Sequence, residues 1–132
     1  MTAEAFIECD SENIPDEHIG LFTGIAKMAH EVVRSYSEAL REERLPWFEL
    51  TKEAQDKIIG RVAFVVLNPD AKPQANHDMW MFKMLSNGWK YAKVIDTVEK
   101  KHPSLVPFHH LPTEQQAKDH IFNAVVSQIM NT

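Results

Sequence analysis

Between Pro15 and about Glu42 the apolar residues Phe22, Ile25, Ala29, Val32, Val33, Tyr36 and Leu40 recur at spacings of three and four, the period of a helix with one face turned to a core. His30, Arg34, Ser37 and Arg41 follow at helical spacing along the edge of that stripe and give it a largely basic flank. Pro46 disfavours a helical conformation for the residue before it, so "LPWFEL" reads as a connection carrying Trp47. Thr51 then stands as the N-cap of a second helix that runs to about Leu67 and stops at Asn68-Pro69. Pro73 suits the first turn of a third helix over about 74–86, with Gly88 as its C-terminal stop. That helix is apolar almost all round, Met79 and Phe82 lying opposite Trp80, Met81 and Met84, which predicts burial on more than one side.

From residue 89 to 112 the helical period is lost. "YAKVID" and "SLVPF" read at most as a short two-stranded piece in an ordered loop pinned by Pro103, Pro107 and Pro112. The last helix opens at "TEQQ", where Thr113 and Gln116 fit a capping box, and carries Ile121, Phe122, Val125, Val126 and Ile129 on one face, with Lys118 one turn earlier on that face. A snorkelling lysine at the end of an apolar stripe accounts for Lys118. The pattern predicts a mainly α fold: one small domain of about four helices with a Pro-rich loop and at most a short two-stranded β piece. One echo runs through it. "AHEVV" at 29–33 and "NHDMW" at 76–80 both set a histidine and then an acid inside a helix, 47 residues apart.

Composition changes this picture little. With 132 residues, 44% hydrophobic and 25% charged, the chain fits one globular domain; residues 1–14 form an acidic, flexible N-terminus ahead of a domain over 15–132. A net charge of −5 argues against a broad basic surface tracking a nucleic acid, while leaving room for a local basic pocket. Cys9 is the single cysteine, which excludes an intrachain disulfide and points to the cytoplasm. No signal pattern and no apolar run of membrane-spanning length is present, so no membrane association is expected.

Most catalytic chemistries fail on spacing. His30-Glu31 lacks the second histidine of a zinc-protease helix. His102, His109 and His110 share one loop, but adjacent histidines do not converge on one metal from regular backbone. The four glycines, at 20, 24, 60 and 88, form neither phosphate-loop pattern, and no nucleophile elbow is present. No cofactor, no metal and no catalytic residue is expected. Recognition fits better: His77, Trp80 and Met84 share a helix face with Lys83 on its shoulder, so an indole plane, a ring nitrogen and a cation are presented together. Stacking on an indole contributes about 1–3 kcal/mol per base. A buried core tryptophan beside a snorkelling lysine explains the same residues. His30 and Arg34 likewise read as a solvated flank, Arg34 paired with Glu38.

The order of motifs then resembles a known family. "HDMW", "NGWKYA", "VID", "EKKHPSLVPF" and "LPTEQQAKD" follow the pattern of the RyR domain, the repeat unit of ryanodine receptors that also occurs in small bacterial and phage proteins. His77, Asp78, Trp80, Gly88, Trp89, Tyr91, Asp96, Lys100, His102, Pro103, Leu105, Val106, Pro107, Phe108, Leu111 and Pro112 all fall in register, within a motif core over 76–122. The pattern departs at Ala92, where the family has glycine, and Val33 stands where a second stacking tryptophan would lie in the echo segment.

The resemblance implies an adenine-nucleotide site. Trp80 and Trp89 would stack, with His77, Tyr91, His102 and His30 around them. Position and charge nominate Lys83, Lys100, Lys101 or Arg34 for the phosphates. Trp47 or Trp89 would close over Trp80 within one chain, or two chains would pair as a homodimer. Three functions compete. The first is a non-catalytic module for an ATP, ADP-ribose or cyclic ADP-ribose class of nucleotide, used by a phage to sequester a bacterial immune signal. The second is a protein-docking module using the aromatic face. The third is a hydrolase of a nucleotide signal, pairing His77 or His102 with Asp78 or Asp96.

Overall fold

The computed structural model describes residues 14–131; the acidic N-terminal stretch and Cys9 lie outside them, Ile14 apart. The order is α1 (Asp16–Ala39), a 3-10 turn (Trp47–Glu49), α2 (Lys52–Leu67), α3 (Gln74–Ser86), β1 (Lys90–Tyr91), β2 (Lys101–His102), a second 3-10 turn (Phe108–His110) and α4 (Thr113–Met130). The described residues form a small, mainly helical domain of four α-helices with one two-stranded sheet. No helix among the described residues is long and apolar enough to cross a membrane.

The core forms where the stripes of α1, α2 and α4 meet. Ile25, Ala26, Ala29 and Val33 of α1 close on Ile59, Val62, Ala63 and Val65 of α2 and on Phe122 and Val126 of α4. The fully buried alanines let the helices approach closely, α1 packing most extensively on α4 and then on α2. Trp47, only 4% exposed, seals this core from the first 3-10 turn. At that size it removes about 150–250 Å² of its own surface from water.

α3 is not the central helix that its composition predicts. Only Ala75, Asn76, His77 and Met79 are buried, and Ala75 and Met79 form a small apolar cluster with Phe64 of α2, apart from the main core. Phe82 and Leu85 remain 50% and 54% exposed. The all-round apolar pattern fails as a burial signal because only the N-terminal half of α3 is buried, while Trp80, Lys83 and Met84 beyond it border a cavity shared with Lys57 and Arg61 of α2.

Two further expectations change. Thr113 is the first residue of α4, and Pro112 holds the N-cap position without a side-chain bond. Gln116 instead donates from Nε2 to Leu111 O (2.9 Å), since a proline N–H is missing and the reciprocal half of a capping box has no donor to satisfy. The sheet pairs Lys90 with Lys101 and Tyr91 with His102, in parallel. "SLVPF" stays outside it. Its proline, Pro107, cannot donate to a ladder, and Leu105 and Phe108 turn inward, 7% and 4% exposed. The backbone exchange between Asp96 and Lys101 closes the intervening loop, with the Asp96 carboxylate accepting from Val98 N and Glu99 N. Ala92 has no left-handed backbone; among the described residues positive φ occurs at Arg41, Gly88 and Lys100.

The echo in the sequence extends through the architecture. His30 of α1 donates from Nε2 to Leu45 O (2.7 Å) and His77 of α3 donates from Nε2 to Val106 O (2.7 Å); a carbonyl only accepts, so both nitrogens carry the proton. Each accepting residue precedes a proline, then a 3-10 turn opening on a buried aromatic (Trp47, Phe108), then a leucine, then a helix. α1 and α3 also end alike. Arg41 (φ 61) and Gly88 (φ 88) stand at matching left-handed positions, with Glu42 N bonded to Ser37 O and Trp89 N to Met84 O. The domain is thus two versions of one helix–turn–helix unit, α1–α2 and α3–α4, the second enlarged between α3 and its 3-10 turn by the segment that carries the sheet.

Candidate functional site

A cavity of about 750 Å³ opens between the two units. The docked face of α3 gives it His77, Trp80, Lys83 and Met84; α2 gives Lys57, Ile58, Arg61 and Phe64; α4 gives Lys118, Asp119 and Phe122. His102 and Ser104 enter from the enlarged segment, and His30, Val33 and Arg44 from the first unit.

One wall is aromatic. The His77 ring lies 5.5 Å from Trp80 and 6.0 Å from Phe108, and His102 meets Trp80 edge-on at 5.1 Å. His77 is buried and held by its carbonyl bond, so it fixes the tryptophan beside it. His102 Nδ1 accepts from Ser104 N (3.0 Å), which leaves the proton of the neutral ring on Nε2. Burial holds the His102 pKa below that of a free imidazole, because the charged ring would lose hydration. Deeper in the domain, Asn76 Nδ2 donates to Asn123 Oδ1 (2.6 Å), tying α3 to α4.

The other walls are cationic. Arg44, Lys57, Arg61, Lys83 and Lys118 line the cavity with one carboxylate, Asp119, Lys57 pairing with Glu53 (3.6 Å) outside the lining, in a chain whose net charge is −5. Arg61 donates through one terminal nitrogen to Asp119 Oδ1 (2.9 Å) and lays its guanidinium over the Phe122 ring at 4.2 Å. Its side chain keeps 42% of its surface accessible, yet enclosure by the surrounding protein pushes its pKa down, partly offset by Asp119. Arg61 lines the cavity, where that surface lies within the enclosure of the domain. Lys118 pairs with Glu42, and with Gln115 Oε1 at 3.1 Å; the ion pair holds the Glu42 carboxyl below its usual range. An internal ion pair, rather than a snorkel to water, therefore accommodates Lys118.

Five of the residues singled out by sequence line the cavity: Trp80, His77, Lys83, His102 and His30. Trp89 stands beside it, half-buried, its ring 6.4 Å from His102. Tyr91 and Lys101 lie exposed on the strands, and Lys100 donates from Nζ to Asn87 O (3.0 Å). Arg34 points elsewhere, bridging Glu31 (2.8 Å) and Glu38 (3.1 Å). Trp47 does not reach Trp80: it packs in the core with its ring 6.1 Å from buried His30. Asp96 caps its own loop and neither it nor Asp78 lines the cavity. Among the described residues no cluster of three or more His, Cys, Asp or Glu side chains is arranged to hold a metal.

Residues 70–130 match the model of the RyR domain. The chain carries a RyR domain. The match runs from just before α3 to the end of α4, so it covers the second unit and includes the motif core read from sequence. The α1–α2 unit lies outside the match and repeats the local architecture of the RyR domain with Val33 in place of Trp80, Trp47 in place of Phe108, and no enlarged segment.

Arg44, Lys57, Arg61 and Asp119 escaped the sequence reading. The signal for Arg61 was present: it interrupts the apolar run "IIGRVAFVVL", where a charge must find either a partner or a ligand. Arg44 carried no such mark.

Proposed function

We propose that this RyR-domain protein binds an adenine-containing or ADP-ribose-type nucleotide in the cavity between its two units, without catalysing its turnover. The observation that carries the reading is the pairing of chemistries across one cavity: a positioned indole and two imidazoles on one side, and on the others a cationic lining with Arg44, Arg61 and Lys83 beside one lining carboxylate, Asp119, while Lys57 and Lys118 are paired with Glu53 and Glu42. A flat base stacks on the first and phosphates meet the second. Val33, where a second tryptophan would stand, leaves Trp80 as the single indole lining the cavity, so base affinity rests on that ring and on His102 at its edge. A protein of this kind acts by holding its nucleotide, and sequestering a signalling nucleotide is the use that suits it.

The test is calorimetric titration of ATP, ADP-ribose and cyclic ADP-ribose into the protein and into Trp80→Ala, with mass analysis of the recovered ligands. Binding by the unaltered protein, a loss of roughly tenfold or more in Trp80→Ala and intact ligands support the reading. A recovered ligand of altered mass replaces it with hydrolysis. Absence of binding removes it.

A second reading rests on a separate observation. The loop after β1 exposes Val94 (74%), Ile95 (54%) and Val98 (87%) next to Tyr91 (54%), apolar surface of the type that anchors protein contacts. If no nucleotide binds, docking through this loop becomes the leading function.

A further inference from the structure

Arg61 is stacked on Phe122 and gives one terminal nitrogen to Asp119, yet its Nε is occluded from water with no hydrogen-bond partner, the one such side-chain atom among the described residues. An occluded donor on a charged group is costly to leave unmade. Arg44 is held in a different way. Its Nε donates to Ser37 Oγ (3.1 Å), and Ser37, fully buried, donates in turn to Val33 O (2.9 Å). A buried hydroxyl bonded on both sides fixes where the Arg44 guanidinium points. Both residues line the same cavity. They stand close enough for the Arg44 charge to disfavour that of Arg61, and although Glu42 lies within electrostatic reach of Arg44, Asp119 is the one carboxylate among the residues lining the cavity.

We propose that Arg44 and Arg61 form the phosphate subsite of this cavity, taking a phosphate ester or phosphoanhydride between them while the base lies against Trp80. The subsite rests on the nucleotide reading for the identity of the rest of the ligand, but not for its own chemistry. A phosphate oxygen accepts from the accessible end of the Arg61 guanidinium, whose second terminal nitrogen is not used by Asp119, a second accepts from the end of the Arg44 fork that Ser37 does not hold, and the bound anion offsets the repulsion between them. The arrangement moves the phosphates away from the lysines of the strand segment, Lys100 and Lys101, which lie outside the cavity.

Calorimetry with three probes separates this subsite from the base site: adenosine, ADP and pyrophosphate, each titrated into the unaltered protein, Arg44→Gln and Arg61→Gln. ADP is expected to bind at least tenfold more tightly than adenosine. Each variant should weaken ADP and pyrophosphate by roughly ten- to a hundredfold, the effect of removing a hydrogen bond to a charged group, and leave adenosine within about twofold. Removing Arg61 strands Asp119, so circular dichroism checks that variant's fold; Arg44→Gln decides alone if it fails. ADP binding no tighter than adenosine, pyrophosphate failing to bind, or an equal loss of adenosine and ADP in Arg44→Gln overturns the subsite. Pyrophosphate bound through both arginines with no adenosine binding keeps the subsite and overturns the nucleotide reading. If no probe binds, both fall.

Discussion

His102 shows how much one ring's surroundings decide. It touches Trp80, stands next to Trp89 and accepts a backbone N–H at Nδ1, and a proton on that nitrogen would break the bond. The unfolded chain binds a proton near the ordinary value of 6.5, whereas the folded ring resists until the pH is lower. Between those two values the unfolded state holds more protons, so stability rises with pH, is complete above the unfolded value and is lost as pH falls through the folded one. Urea midpoints measured at about pH 7.5 and about pH 5.5 should therefore fall more on acidification in the unaltered protein than in His102→Asn. A second residue-scale expectation concerns Asn76. Asn76→Ala leaves the amide of Asn123 short of a partner and should cost about 1–3 kcal/mol in urea unfolding. Sequence marked His77, Trp80 and His102 through their motif, but it was silent on Asn123, whose role exists only because α4 brings it opposite Asn76.

Elements carried most of what sequence made legible. Three-and-four spacing marks α1 and the apolar face of α4, Thr51 marks the start of α2 and caps it by accepting from Ala54 N (3.1 Å), and Gly88 ends α3. Where the reading failed, it failed on relations between elements. Periodicity says which face of α3 is apolar but not that a cavity separates part of that face from α2, and strand propensity in "SLVPF" yields to the burial of Leu105 and Phe108. Trp47 was read as a ring free to close over a ligand, whereas its turn drives it into the core. Trp47→Ala should accordingly lower stability by about 3–5 kcal/mol, measured by chemical denaturation, with no separate role in base stacking. The matching caps of α1 and α3 give a test of opposite sign. Arg41 pays the left-handed penalty that Gly88 avoids, and relief of about 1–2 kcal/mol is offset in part by the freedom glycine adds to the unfolded chain. Arg41→Gly should stabilise by about 0.5–1 kcal/mol, read as a raised denaturant midpoint.

At the scale of the whole molecule, charge is distributed against its own average. A net charge of −5 repels an anion at long range, while the cavity walls attract it within about one Debye length, roughly 8–10 Å at physiological salt. If the walls govern, raising ionic strength from about 0.05 M to about 0.5 M weakens ADP binding; if the net charge governs, binding strengthens. Titrations at the two salt concentrations distinguish them, and weakening is expected. The doubled helix–turn–helix plan bears on the same cavity in another way. Two equal units facing one space would offer an elongated guest two equivalent ways to lie, head to tail or tail to head. The segment that delivers His102 and Ser104 belongs to one unit only, and so does Trp80. The chain has made its two ends unlike, so a bound molecule has a front and a back, and a guest labelled at one end should report one environment rather than two.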